Sequence, residues 1–261
     1  MPTLVIDACP EGLHYKLHTA SQAGAAPPLV LVHGAGGNLM HWPGELRRLP
    51  GYSVVALDLP GHGHSKGVAQ QNIGAYAQVV KRFTEGLSLP RFVLVGHSMG
   101  GAVAQELALQ HPEIIAGLVL VATGARLPVA PELLNTIQGN WENAARLLAG
   151  WSQGTLADPK ALRIYFHRLR ELDPQVLYRD YAACNAWDRT ANLDQIGAPT
   201  LVVCGDADKM TPLEYSFRLA QGIKTAHLVI IPGAGHMVML EQPTLVARAV
   251  QQFIAGLEAG S

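Results

Sequence analysis

The chain has 261 residues, 49% of them apolar and only 15% charged, with a net charge of -1. That length and composition suit one large domain or two small ones and exclude a disordered chain. A balance so near neutrality, with no run of Lys or Arg, argues against nucleic-acid or anionic-membrane partners, which are bound largely by neutralising phosphates.

The N-terminal stretch "MPTLVIDACPEGLHYKL" has no basic segment followed by an apolar one, so no signal peptide is expected. No segment approaches the length of a membrane span; the run Ile114–Thr123 is short and interrupted by Gly117. Cys9, Cys184 and Cys204 are odd in number and far apart. They predict buried thiols in a reducing compartment, hence a cytoplasmic protein.

Short β-branched apolar runs then alternate with helical patterns. Leu29–Val32, Ser53–Leu57, Phe92–Val95, Leu118–Val121, Thr200–Cys204 and Leu228–Ile231 read as strands buried on both faces. Ile73–Gly86, Met99–Gln110, Pro212–Gln221 and Thr244–Leu257 read as helices, the second ending before Pro112. The alternation predicts an α/β fold with a doubly wound, mostly parallel sheet. Arg126 to Asn192 breaks it, with helical patterns at Asn143–Leu148 and Ala161–Leu172 and a concentration of aromatics that includes Trp141, Trp151, Tyr165, Tyr181 and Trp187. Residues 126–192 are therefore expected to form a helical cap over the carboxyl edge of a core made of 1–125 and 193–261. The aromatics either line an apolar pocket, with Trp141 and Trp187 as candidate substrate contacts, or form the cap's own core.

The stretch "FVLVGHSMGGAVAQ" sets Ser98 between Gly96 and Gly100 where a strand turns into a helix. That context favours an exposed nucleophile over an ordinary Ser cap, with the Met99 amide at a helix N-terminus suited to an anion. A serine hydroxyl needs a base and an orienting acid. His236 follows one later strand, and Asp206 and Asp208 both follow another, a choice that pattern alone leaves open. The glycines of the His236 loop are expected to let its ring swing inward. The loop His33–Asn38 after the first strand has the small residues needed to bring a second amide, that of Ala35, to an oxyanion, with Gly34 beside the substrate. His33 is read as a structural hydrogen-bonder, and His97 as packed beneath the turn. His62-Gly63-His64 lacks a third ligand and reads as a scaffold turn; the glycine loop lacks a Walker lysine. No metal or cofactor is expected.

Five segments resemble the α/β-hydrolase superfamily in order and spacing: "LVLVHGAGGN", "VVALDLPGHGHS", "VGHSMGG", "PTLVVCGDADKMTP" and "IPGAGHMVMLEQP". The resemblance covers nearly the whole chain, weakly in 126–192. It implies a Ser98-His236-Asp208 triad, because the family's Gly-x-x-Asp-x-x-x-Pro pattern matches Gly205, Asp208 and Pro212, with Asp206 second. A serine at the elbow, instead of an aspartate, implies an ester, lactone, thioester, peracid or activated carbon–carbon bond as the target. The absence of Gly-Pro-Gly in the oxyanion loop lowers the carbon–carbon reading. The expectation is a hydrolase of small to medium carboxylic esters, with no nucleic-acid or membrane partner. A ligand sensor with slow hydrolysis is the alternative from another class.

Overall fold

The computed structural model describes residues 2–7, 9–20, 26–155, 165–166 and 169–259. Its strands are β1 (Thr3–Ile6), β2 (Cys9–His18), β3 (Leu29–Val32), β4 (Val54–Leu57), β5 (Phe92–His97), β6 (Ile115–Val121), β7 (Thr200–Gly205) and β8 (Ala226–Ile231). The described helices are α1 (Gly44–Arg47), α2 (Ile73–Gly86), α3 (Met99–Gln110), α4 (Pro131–Gly139), α5 (Trp141–Trp151), α6 (Pro174–Asn185), α7 (Leu213–Gly222), α8 (Val238–Glu241) and α9 (Pro243–Ala259). Helix starts follow local chemistry. The Asn72 side chain accepts the Ala75 N–H at the head of α2, and Asp173 accepts the Gln175 N–H before Pro174 opens α6.

The eight strands form one sheet in the order β1-β2-β4-β3-β5-β6-β7-β8. All pairs from β4 to β8 are parallel, as the α/β alternation predicts. Period-2 alternation splits the core in two. Val30 and Val32 pack with α2 and α3 on one face, while Leu29 and Leu31 pack with α1 and α9 on the other. Each fully buried Leu or Val contributes about 1.5–3 kcal/mol, which makes these central strands the rigid base from which the loops project.

One expectation needs correction, and one pair of strands goes unforeseen. The sheet begins with an antiparallel pair, β1 and β2, that the apolar-run pattern does not reveal. Its burial is irregular, and Pro10, Gly12 and Lys16 interrupt any alternation. Strand β8 is also not buried on both faces: it is the last strand of the sheet, and Ile230 is exposed. Between β6 and β7 the chain forms α4, α5 and α6, whose Leu133, Ile137, Ala145, Leu148 and Leu177 share a cluster of their own. The only pairing there among the described residues is a single bridge between Arg126 and Asp188. Of the helix expected over Ala161–Leu172, positions 161–164, 167 and 168 lie outside the described residues, while Tyr165, Phe166 and 169–171 are helical. Among the described residues no helix is long and apolar enough to cross a membrane.

Candidate active site

Ser98 stands between β5 and α3 at φ 52°, ψ -117°. A positive φ in a residue with a Cβ costs on the order of 1–3 kcal/mol and persists only where the surroundings hold it. Here the Ser98 N–H donates to the Val121 carbonyl at 3.0 Å, and the Ser98 carbonyl accepts from Gly101, Ala102 and the Thr123 hydroxyl. The hydroxyl makes no cap bond to α3, so this is not an ordinary capping serine. The glycines have backbone reasons. A Cβ on Gly96 would overlap the Gly100 carbonyl, and one on Gly100 would overlap the carbonyls of Val32 and His33. Gly101 lies as closely on the Thr123 side chain.

His236 approaches from the loop after β8. Its Nε2 lies 3.0 Å from Ser98 Oγ and its Nδ1 2.9 Å from Asp208 Oδ2. Asp208 also accepts the N–H groups of Met210 and Thr211 and, at 2.6 Å, the Thr211 hydroxyl. Burial works against its charge, but the ring of His236 and the Thr211 donors outweigh it and hold the carboxyl below its ordinary range. Asp206 is exposed and accepts the Gly233 N–H at 2.7 Å, tying the loops after β7 and β8 together. Of the two glycines expected to free this loop, Gly233 stands at φ 72°, and Gly235 answers to a close backbone approach. A Cβ on Gly235 would overlap the backbone of Gly154, so that loop is clasped by residues 152–155. Glu241 accepts both the Gly154 and Gly235 N–H groups, and burial raises its pKa.

The loop after β3 crosses close to the serine: a Cβ on Gly34 would come within 3.1 Å of Ser98 Cβ. Ala35 faces the same cavity as Ser98 and His236, and Met99 opens α3, where amides have no intrahelical acceptor. His33 is buried, accepts the Leu59 N–H at Nε2 and donates from Nδ1 to the Gly34 carbonyl; burial lowers its pKa to about 4 and keeps it neutral. His97 lies beneath the turn with Nε2 2.9 Å from the His236 carbonyl, and burial holds its pKa well below the ordinary value. The rings of His62 and His64 diverge: His62 bonds Asp180, whereas His64 sits edge-on to His14.

Ser98 opens on a cavity of about 160 Å³ whose walls include Leu127, Val129, Leu133, Trp151, Tyr181 and Met210. Burial pushes the Tyr181 phenol well above its ordinary pKa, so it remains a donor. Trp141 and Trp187 do not line this cavity, contrary to expectation. Trp141 packs among the helices between β6 and β7, and Trp187 is buried against α3, donating to Glu106 at 2.9 Å. Trp151 is the tryptophan at the site. Sequence pattern also misses Thr211 and Asp180; the one signal for Thr211 is its place three residues after Asp208. A larger cavity of about 410 Å³ lies along Asn38, His41 and Tyr165 and does not include Ser98.

A family model described as "Alpha/beta hydrolase family" matches residues 29–249. A candidate carbamate hydrolase, RutD, of Pseudomonas syringae pv. syringae (strain B728a) is 31% identical over 262 residues, covering 93% of this chain and 99% of its own. A 2-hydroxy-6-oxononadienedioate/2-hydroxy-6-oxononatrienedioate hydrolase of a Pseudomonas species is 26% identical, covering 96% and 95%. The solved structure of a thermophilic esterase superposes with a TM-score of 0.84 at 32% identity, covering 98% and 97%. A match of that extent, on a sheet of this order, shows that the chain belongs to the alpha/beta hydrolase family and is a hydrolase.

Proposed function

We propose that the protein is a serine hydrolase that cleaves small to medium carboxylic esters through an acyl-enzyme. The observation that carries this reading is the unbroken chain Ser98 Oγ, His236, Asp208, with contacts of 3.0 and 2.9 Å, opening on a largely apolar cavity. Ser98 attacks the carbonyl as His236 takes its proton, and Asp208 holds the ring in the tautomer that leaves Nε2 free to accept. The oxyanion forms against the amides of Ala35 and Met99, each such donor being worth roughly 2.7–4 kcal/mol. His236 then protonates the departing alcohol, and a water activated by the same ring releases the acid.

Residues 126–192 act as a cap over the core of 1–125 and 193–261. In support, Leu133, Trp151 and Tyr181 belong to this segment and line the cavity. A cavity of roughly 150 Å³ accepts a benzene-sized group, so about 160 Å³ suits an acyl or alcohol group of that bulk. A cytoplasmic location agrees with three buried free cysteines.

The test is a fluorophosphonate label mapped to Ser98, followed by an ester chain-length series with wild type and Ser98→Ala. The variant is expected to lose kcat on the scale of about 10⁶; unchanged turnover of a short p-nitrophenyl ester would refute the assignment. The resemblance to a 2-hydroxy-6-oxo-dienedioate hydrolase favours a second reading, the same three residues acting on a vinylogous diketone. A lactone and such a diketone in the substrate panel separate the two.

A further inference from the structure

We propose that Asp180 is a positioning residue that sets the oxyanion loop, so that seating helix α6 and assembling the oxyanion site are one event. The inference rests on the reading above, in which the Ala35 amide binds the oxyanion. Asp180 is fully buried, and its carboxylate collects three donors from three different parts of the fold. Oδ2 accepts the Gly36 N–H of the loop after β3 at 2.8 Å and lies 2.7 Å from His62 Nε2 in the turn after β4. Oδ1 accepts the Tyr76 hydroxyl of α2 at 2.5 Å.

Leaving a buried carboxylate short of a partner is strongly destabilising, so this arrangement resists loosening. Its place in the chain gives it more than a packing role. Gly36, at φ 60°, has little conformational preference of its own, and its N–H belongs to the peptide immediately after Ala35. Fixing that peptide fixes the direction of the loop at the proposed donor, where a displacement of about 1 Å can cost a hundredfold in rate. The same helix places Leu177 against Gly36, where a Cβ would overlap it, and delivers Tyr181 and Cys184 to the cavity wall. The face that encloses the substrate therefore carries the carboxylate that holds the loop.

D180N isolates the effect. A neutral His62 keeps its Nδ1–H on the Pro60 carbonyl and accepts from the new amide, while the Gly36 N–H loses its carboxylate. Wild type, D180N, S98A and V250A, a core truncation on the opposite sheet face, are compared by Tm, by kcat and KM, and by the rate of fluorophosphonate labelling. D180N is expected to lower kcat and labelling rate about 10- to 100-fold with little change in KM, whereas V250A lowers Tm and leaves kcat alone. D180N with wild-type kcat and labelling rate overturns the inference, as does an equal kcat loss in V250A. Turnover surviving in S98A overturns instead the reading on which it rests. If D180N does not fold, D180E displaces the carboxylate by one methylene, with the same expected and overturning results.

Discussion

Asp206 Oδ1 accepts the Gly233 N–H at 2.7 Å, which turns the first of two neighbouring aspartates away from the ring of His236. Asp208, two residues on, meets that ring at 2.9 Å. Asp208→Asn should lower kcat by about 10⁴, the scale of losing the correct imidazole tautomer. Asp206→Asn keeps an oxygen for the Gly233 N–H and should stay near wild type. Steady-state turnover of one ester by both variants decides it, and equal losses would remove the distinction.

The glycines around Ser98 answer to backbone atoms, which cannot yield as a side chain does. Gly100→Ala would drive a methyl into the Val32 and His33 carbonyls and should cost at least the roughly 1–3 kcal/mol of an overpacked core. Gly256→Ala, at an exposed position of α9 with nothing near its Cβ, should instead stabilise by about 0.5–1 kcal/mol. Urea unfolding of the two variants should therefore move in opposite directions.

His33 and His97 are held neutral by burial, His33 with a pKa lowered from 6.5 to about 4. The unfolded chain binds protons that the folded chain refuses, so stability is fully present above 6.5 and declines as the pH falls toward 4. Urea midpoints taken across that range should fall, with net proton uptake on unfolding. A flat profile would mean these rings are not the groups that matter.

Glu106 is buried on α3 with Trp187, Gln110 and a two-point contact from Arg189. Burial opposes its charge, yet Arg189 and Trp187 outweigh it and set the pKa below the ordinary 4.5. Arg189→Ala should cost roughly 1.5–3 kcal/mol near neutral pH, the scale of bonds to a charged group. Because the folded pKa is the depressed one, the wild-type advantage should shrink as pH falls through and below 4.5. Paired denaturation curves above and below that pH test it.

Leu133→Ala should widen the cavity beside Ser98 and shift the preferred acyl chain to greater length. Trp141→Phe lies away from the cavity and should leave the preference unchanged. A chain-length series that moves with Trp141 and not with Leu133 would contradict the cavity as drawn.

The central strands were legible because they are buried in parallel pairs, where apolar runs survive intact, and α2, α7 and α9 because each buries one face. Helix α3 is buried nearly all round and is marked instead by the glycine turn before it and Pro112 after it. Helices α2 and α3 match their predicted bounds, and β3 does as well. The β1–β2 pair was not legible, since a partly exposed edge tolerates Pro10, Gly12 and Lys16 and loses the pattern. Trp141 and Trp187 show the same limit in the site. Aromatic content marks a segment as apolar, but which ring faces a cavity depends on how its helix is rotated and what it meets.

What the chain determined by itself is local: a serine between glycines at a strand-to-helix turn, and loops of the right composition after later strands. Close backbone approach leaves room only for glycine, and that requirement is written directly in residue identity. What only the tertiary structure decided is which groups meet across large separations. Family resemblance favours Asp208 over Asp206, and the fold brings Asp208 to the ring while sending Asp206 to Gly233. Asp180 lies 144 positions from Gly36 and carries no local mark of its role. A hydrogen bond depends on distances of a few ångströms in space, and no spacing along the chain records them.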